Sequence, residues 1–170
     1  MVENLSLLKT RKASKSLAIY LAQTLDGLGL ERSRILSAGP GNPAPEAVQH
    51  FLGRKYVEFV RGEPTDLEVM TRLRTAVKGR TTVVLLDAGQ AYDRVLAELR
   101  AYAPLVSSGS YLIVQDTDRD AWAGQVGAGQ GPYEAIQAFL AEDPGKNFEI
   151  DPGREMAVFT RNAGGWLRRK

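Results

Sequence analysis

Apolar residues recur along this chain with two different spacings, which predict an alternation of strands and helices. Short apolar runs typical of strands occupy residues 5–10, 34–38, 55–60, 81–87 and 110–116. Helical patterns, with apolar residues three and four positions apart, occupy residues 14–30, 45–53, 66–77, 91–106 and 132–143. Four strand–helix alternations in a row are typical of a parallel, doubly wound sheet with helices on both faces.

The C-terminal part of the chain departs from this alternation. Residues 148–162 have the pattern of an antiparallel hairpin with Asp151-Pro152-Gly153 as its turn, because aspartate, proline and glycine each favour tight turns. No internal repeat, linker or low-complexity segment interrupts the sequence. We therefore predict one α/β domain over residues 1–170, a Rossmann-like doubly wound sheet with a C-terminal antiparallel hairpin.

Two of the predicted strands end in an acid. Asp87 closes the run 81–87, and Asp116 closes the run 110–116. Ligands of doubly wound sheets bind beyond the carboxyl ends of the strands, so we expect both carboxylates at one crevice. Acids at strand ends also cap the helices that follow, which leaves that simpler role open. Tyr92 and Tyr133 begin helices near the same rim, where packing is their simpler role.

Composition narrows the classes of function. The chain has 170 residues, of which 44% are hydrophobic, which suits one well-packed domain. Its net charge of only +2 gives no indication of a nucleic-acid-binding surface. Cysteine is absent and His50 is the single histidine, which excludes a thiol nucleophile, a disulfide framework and a cysteine zinc site. No apolar run reaches the length of a membrane span and no signal-peptide pattern is found, so we expect a cytoplasmic protein without membrane partners.

Several separated segments resemble one protein family. The runs LLDAGQAYDRVLAELRAYAPLVSSGSYLIVQDTD (85–118), GPYEAIQAFLAED (131–143), FEID (148–151) and GGWLRR (164–169) are similar in order and spacing to the cephalosporin-hydroxylase family. The resemblance covers residues 54–170 and is looser over residues 14–53. It implies a class I methyltransferase fold, an S-adenosylmethionine pocket and often a magnesium ion. Members of the family tailor bacterial secondary metabolites and include sugar O-methyltransferases.

The resemblance also implies a metal site. In the family, the acid that ends the fourth strand and an acidic pair that ends the fifth hold the ion, and the matching residues here are Asp87, Gln115 and Asp116. Two carboxylates and a carboxamide suit Mg²⁺, which prefers oxygen ligands, although Gln115 brings one charge fewer than an acid. The ion would align a pair of substrate hydroxyls and lower the pKa of the attacking oxygen.

Other positions of the family's pocket carry different residues here. Gln90 stands where the family has a histidine, and glutamine cannot act as a general base. The stretch RKASKS (11–16) replaces a glycine-rich turn, so that Ser14 and Ser16 become the candidate cofactor contacts and Lys15 would lie near the positive sulfonium. The catalytic candidates are Asp87, Gln90 and Lys15.

Three further cofactor contacts are predicted at Gly39, Glu63 and Asp66. In the family, the second strand ends in an acid that binds the ribose of the cofactor, and Ala38 and Gly39 stand at that place here. Each charged hydrogen bond lost there weakens cofactor binding by about 1.5–3 kcal/mol. Glu63 and Asp66 keep acids near the adenine side, but Asp66 is equally well placed to cap a helix.

Three hypotheses for the function remain open. The first is a tailoring enzyme that methylates a small hydroxylated metabolite with S-adenosylmethionine and Mg²⁺, with Lys15 or Asp93 assisting at the substrate oxygen. The second is a cofactor-free enzyme for a cyclisation, dehydration or isomerisation, and its pocket would contain Lys15, Asp87, Gln90 and Asp116. The third is a non-catalytic scaffold, bound to an active homologue or in a homo-oligomer, for which an exposed C-terminal hairpin is suited.

Overall fold

The computed structural model describes residues 4–10, 34–39, 57–87, 91–117, 131–154 and 162–170, with only the backbone described for residues 4–10, 34–39, 57–59 and 87. The strands in these stretches are β1 (Asn4–Thr10), β2 (Arg34–Gly39), β3 (Val57–Arg61), β4 (Thr81–Asp87), β5 (Tyr111–Val114), β6 (Phe148–Ile150) and β7 (Trp166–Arg169). The helices are α1 (Leu67–Val77), α2 (Tyr92–Tyr102) and α3 (Pro132–Ala141), and short 3-10 helices cover Ala103–Leu105, Gly145–Asn147 and Pro152–Arg154.

The predicted alternation of strands and helices is confirmed in the described stretches. Strand β4 occupies its predicted residues, and helix α3 begins at Pro132, whose missing N–H is not needed in the first turn of a helix. Helix α2 ends at Tyr102, earlier than predicted, because Pro104 follows closely and cannot continue an α-helix.

Two predicted helices, over residues 14–30 and 45–53, lie outside the described residues. None of the helices in the described stretches has both the length and the apolar character that crossing a bilayer requires.

The chain divides into two compact units, Met1–Thr82 and Val83–Lys170. In the first unit, three parallel strands form a sheet in the order β3–β2–β1. Helix α1 follows β3 and buries Val69, Met70 and Leu73, the apolar stripe that its sequence pattern predicts. The carboxyl ends of the three strands therefore meet at one edge of this sheet. The prediction of a single domain stays a prediction.

The second unit, which β4 enters at Val83, has a mixed sheet in the order β4–β5–β7–β6. Strands β4 and β5 are parallel, whereas β7 is antiparallel to both β5 and β6. The predicted antiparallel C-terminal pair is present, with Asp151 in its turn accepting a hydrogen bond from the Gly153 N–H at 3.1 Å. The partner strand of β6 is β7, further along the chain than predicted, and residues 155–161 of the predicted hairpin lie outside the described residues.

Alternate residues of these strands form the core of the second unit, as the pleat of a sheet requires. Helices α2 and α3 pack against each other, and the ring of Phe139 on α3 lies 5.7 Å from that of Phe148 on β6. The almost fully buried side chains include Val84, Leu86, Val95, Leu99, Tyr102, Leu112, Val114, Ile136, Phe139 and Leu167. This core holds the strand ends that carry the predicted metal ligands.

Candidate functional site

Strands β4 and β5 end side by side in the second unit. They pair in parallel register with Leu86 opposite Val114, and the backbone N–H of Gln115 donates to the carbonyl of Leu86 at 2.9 Å. Because this register places Asp87 beside Gln115, the residues that close the two strands share one edge of the sheet. The two strands are therefore neighbours, as a shared crevice for both carboxylates requires.

Asp116 lies just beyond β5 and has an unusual backbone conformation. Its φ of 57° is in the left-handed region, and within the described stretches no other residue except glycine has a positive φ. This conformation cannot continue a strand, which explains why β5 ends at Val114 and not at the predicted residue 116. Aspartate tolerates it better than most residues, but strain of this kind still costs on the order of 1 kcal/mol and is concentrated at functional sites.

The oxygen donors at this edge match Mg²⁺ in their chemistry. Asp87 and Asp116 provide carboxylates and Gln115 an amide oxygen, which are hard ligands of the kind that Mg²⁺ binds while keeping several waters. The side chains of Gln115 and Asp116 are half-buried, and that of Asp87 lies outside the description. Within the described residues, no cluster of three or more acids, histidines or cysteines is found. The metal assignment stays a prediction.

The turn that precedes β7 lies directly against the end of β5. The Val114 N–H donates to the carbonyl of Gly165 at 2.9 Å, and the Gly165 N–H donates to the carbonyl of Asn162 at 2.8 Å. A Cβ atom at Gly165 would lie 2.3 Å from the carbonyl oxygen of Val114 and 3.3 Å from Cγ2 of Thr117, so only glycine fits there. The turn therefore fixes the chain where it leaves β5. Sequence reasoning assigned no role to this glycine, although it belongs to the GGWLRR motif.

Two further side chains border this turn, and neither was among the predicted site residues. Thr117 is 1% exposed, and its Oγ1 has no hydrogen-bond partner among the described residues. Tyr133, in the first turn of α3, rests its ring against Gly164, where an added Cβ would lie 2.9 Å from Cε2. Tyr133 is also 42% exposed, so packing covers only part of the residue.

Three predicted cofactor residues lie in the first unit, at the ends of β2 and β3. Gly39 is the last residue of β2 and pairs with Arg61, the last residue of β3. Glu63 and Asp66 are exposed in the turn that leads into α1. Asp66 occupies the N-cap position of α1, as predicted, but its side chain makes no capping hydrogen bond. Capping therefore does not explain why a carboxylate stands there.

The other predicted site residues are less informative. Ser14, Lys15, Ser16 and Gln90 lie outside the described residues, so their roles stay predictions. Asp93 is exposed in the first turn of α2, where a negative charge also favours the helix dipole.

A second polar cluster lies around Tyr111, the first residue of β5. The Tyr111 hydroxyl donates to Oδ2 of Asp151 at 2.7 Å and accepts from Nε of Arg154 at 3.1 Å. The hydrogen bond to Tyr111 raises the pKa of the Arg154 guanidinium. Trp166 packs edge-on against the Tyr111 ring, with centroids 5.9 Å apart. These groups satisfy one another, so the cluster holds the turn after β6 against β5.

Comparison with known sequences finds one family. The family model for rhamnosyl O-methyltransferase/CmcI matches residues 15–170. A rhamnosyl O-methyltransferase of Mycobacterium leprae is 34% identical over 116 residues, which is 68% of this chain and 50% of that protein. One from Mycobacterium tuberculosis H37Rv is 34% identical over 111 residues, covering 65% of this chain and 42% of that protein. The chain thus spans half or less of the length of these curated relatives.

Solved methyltransferase structures have the same fold. The MycE methyltransferase of mycinamycin biosynthesis, in complex with Mg and SAH, matches with a TM-score of 0.58 and 13% identity over 93% of this chain and 40% of that chain. Apo CalS11, a TDP-rhamnose 3'-O-methyltransferase of calicheamicin biosynthesis, matches with a TM-score of 0.60 and 16% identity over 98% of this chain and 70% of that chain. The predicted class I methyltransferase fold is confirmed. On the strength of the family model, the chain belongs to the rhamnosyl O-methyltransferase/CmcI family, as its resemblance to the cephalosporin hydroxylases implied.

Proposed function

We propose that this chain is an S-adenosylmethionine-dependent O-methyltransferase that acts on a hydroxyl of a small, sugar-like metabolite, with Mg²⁺ at the ends of β4 and β5. One observation supports the proposal: β4 and β5 pair in parallel up to Leu86 and Val114, and Asp87, Gln115 and Asp116 are the residues that follow at that edge of the sheet. Membership of the rhamnosyl O-methyltransferase/CmcI family supports the choice of reaction.

Methyl transfer requires the acceptor oxygen to attack the methyl carbon in line with the departing sulfur, so that a C–O bond forms as the C–S bond breaks. The proton of the acceptor hydroxyl would pass to Asp93 or to water. When bound, S-adenosylmethionine would supply the methyl group and Mg²⁺ would lower the pKa of the acceptor hydroxyl. Asp87 and Asp116 would hold the metal through carboxylate oxygens, and Gln115 would add a neutral oxygen. Two carboxylates balance the charge of one Mg²⁺, so the loss of a third acid leaves a site that still suits the ion.

The cofactor would use the ends of β2 and β3 in the first unit. Glu63 and Asp66 are exposed carboxylates that can accept hydrogen bonds from the adenine amino group or the ribose hydroxyls. Gly39 lets the cofactor approach the backbone at the end of β2 without meeting a side chain. Ser14 and Ser16 are proposed as further contacts.

One observation favours a cofactor-free enzyme as the second candidate. Strand β2 ends with Ala38 and Gly39, so it presents no carboxylate to a ribose diol. The charged hydrogen bonds that such an acid makes stabilise binding by about 1.5–3 kcal/mol each. In this alternative, Asp87 and Asp116 would transfer protons to and from a small hydroxylated substrate without any methyl donor.

Calorimetric titration with S-adenosylhomocysteine, with and without MgCl₂, distinguishes the two candidates. The methyltransferase proposal predicts saturable binding in the micromolar range, weakened in a Glu63→Gln, Asp66→Asn double variant. Binding should be unchanged in the control Asp143→Asn, whose exposed carboxylate follows α3 and belongs to neither candidate site. Absence of binding at millimolar ligand, with the protein folded by circular dichroism, contradicts methyl transfer and favours the cofactor-free enzyme. The cytoplasmic location expected from the sequence stays a prediction, and the homo-oligomer that the sequence left open stays open.

A further inference from the structure

We propose that Tyr133 is a substrate-binding residue: its ring packs against the apolar face of a hydroxylated sugar ring, and its hydroxyl hydrogen-bonds one of the sugar hydroxyls. The inference rests on the proposed function, and it names the contact that would position the methyl acceptor.

Tyr133 is held close to the end of β5. A Cβ atom at Gly164 would lie 2.9 Å from Cε2 and 3.4 Å from Cδ2 of Tyr133, which means that the ring rests on this glycine. The next residue, Gly165, touches the carbonyl of Val114, the last residue of β5. Through these two glycines, the Tyr133 ring lies near the end of the strand that leads to Gln115 and Asp116.

Tyr133 contacts Gly164 through its ring and remains partly exposed. Tyr133 is 42% exposed, whereas Ala135 and Ile136 in the same helix are fully buried. Single exposed aromatic residues are common on proteins, but within the described stretches only Leu67 is a comparably exposed large apolar side chain. A ring already restrained by Gly164 loses little conformational freedom on binding, which favours it as a binding surface.

The chemistry of tyrosine matches that of a sugar. A tyrosine side chain combines a flat apolar ring with a polar tip, and a pyranose combines a face of C–H groups with a rim of hydroxyls. The Tyr133 hydroxyl makes no hydrogen bond with other described residues, so it is available to a ligand. Thr117 Oγ1, buried on the other side of the same turn, is likewise without a described partner.

Saturation-transfer NMR with methyl α-L-rhamnopyranoside tests this assignment. The probe has no aromatic aglycone, so any transfer reports contact with the sugar itself. We expect transfer in the wild type, a loss of about fivefold or more in Tyr133→Ala, and a loss of about threefold in Tyr133→Phe, which keeps the ring but not the hydroxyl. Leu67→Ala removes the other exposed apolar side chain and should leave the transfer unchanged. No transfer in the wild type, or equal transfer in Tyr133→Ala, overturns the proposal.

Two controls keep the outcome decisive. If Tyr133→Ala is unfolded by circular dichroism, Tyr133→Phe carries the test, and wild-type transfer in that variant overturns the hydroxyl contact. Titration of the same proteins with S-adenosylhomocysteine separates this inference from the proposed function. If the protein binds the sugar through Tyr133 but does not bind S-adenosylhomocysteine, methyl transfer is contradicted and this inference is not. If the protein binds S-adenosylhomocysteine and the sugar signal is the same without Tyr133, this inference is contradicted and the proposed function is not.

Discussion

Asp116 combines a strained backbone with a carboxylate at the end of β5. A left-handed φ of 57° is least costly for glycine, and asparagine tolerates it about as well as aspartate does. The backbone alone therefore gives no reason for a negative charge at this position. The position of this carboxylate just beyond β5 makes it a candidate to bind a cation, and that role stays a prediction.

Replacing Asp116 with asparagine separates the charge from the backbone. Asp116→Asn should leave the free energy of unfolding within about 0.5 kcal/mol of the wild type, as for most substitutions that remove no packing. It should also abolish the effect of Mg²⁺ on S-adenosylhomocysteine binding, measured by calorimetry. Asp116→Gly is the matched control, expected to lose the metal effect while gaining about 1 kcal/mol of stability from the relief of strain. An undiminished Mg²⁺ effect in Asp116→Asn contradicts the assignment.

Gly165 offers a second test at this scale. In Gly165→Ala the new methyl group would meet the Val114 carbonyl at 2.3 Å, and we expect a loss of about 1–3 kcal/mol in urea unfolding. Gly109→Ala is the comparison, because that glycine has a φ of 75° but nothing within 4 Å of an added Cβ. It should lose about 1 kcal/mol from backbone strain alone. Equal losses in the two variants would show that the close approach at Gly165 is not significant.

At the scale of elements, an ion pair joins helix α2 to the residue that follows α3. Nε of Arg100 donates to Oε2 of Glu142 at 2.8 Å, and a second nitrogen of the same guanidinium bonds the other oxygen. The hydrogen bond from Arg100 lowers the pKa of Glu142 below its ordinary 4.5. The stability that the pair contributes is therefore present above pH 4.5 and is lost as the pH falls through the lowered value.

The variant Glu142→Gln measures this contribution. Its urea midpoint at low salt should lie below that of the wild type at neutral pH, and the difference should shrink on acidification below pH 4.5 and on addition of salt. Glu149→Gln is the control, because its carboxylate is 3.9 Å from Arg168 and should show a smaller difference. A midpoint difference that persists unchanged in acid contradicts the role of the ion pair.

Element boundaries could be predicted wherever periodicity encodes them. The run 81–87 is a strand as expected, and the helix at 132–141 begins at the proline that the pattern marked. Strand β5 ends early because Asp116 is left-handed, a property that no periodicity contains. The partner strand of β6 was predicted within residues 148–162, whereas β6 pairs with β7 further along the chain. Periodicity does not contain this either, because pairing across a sheet depends on contacts between residues far apart in sequence.

At the scale of the whole molecule, the two units carry different parts of the proposed chemistry. The candidate cofactor residues Gly39, Glu63 and Asp66 lie in the first unit, and the candidate metal ligands Asp87 and Asp116 lie in the second. Both sets are at the carboxyl ends of parallel strands, where sheets of this class bind ligands. This is why strand ends read from the sequence were enough to locate candidate sites.

The rest of the site could not be predicted from the sequence. The contacts of Tyr133 and Gly165 arise because the turn before β7 folds back onto the end of β5, which joins residues about fifty positions apart (Val114 and Gly165). The sequence marks Tyr133 only as the start of a helix and Gly165 only as part of a motif. Neither signal indicates that Tyr133 is partly exposed or which atom the glycine approaches.

Binding of Mn²⁺, used as a spectroscopic substitute for Mg²⁺ and followed by electron paramagnetic resonance, tests the central claim most directly. Wild type, Asp87→Asn, Asp116→Asn and the double variant form one cycle, with the exposed Asp143→Asn as the control. If the two carboxylates share one ion, each single variant should lose about tenfold or more in Mn²⁺ affinity. The free-energy loss in the double variant should then be much smaller than the sum of the two single losses. Failure of the wild type to bind Mn²⁺, or losses that simply add, would contradict a shared site at the ends of β4 and β5.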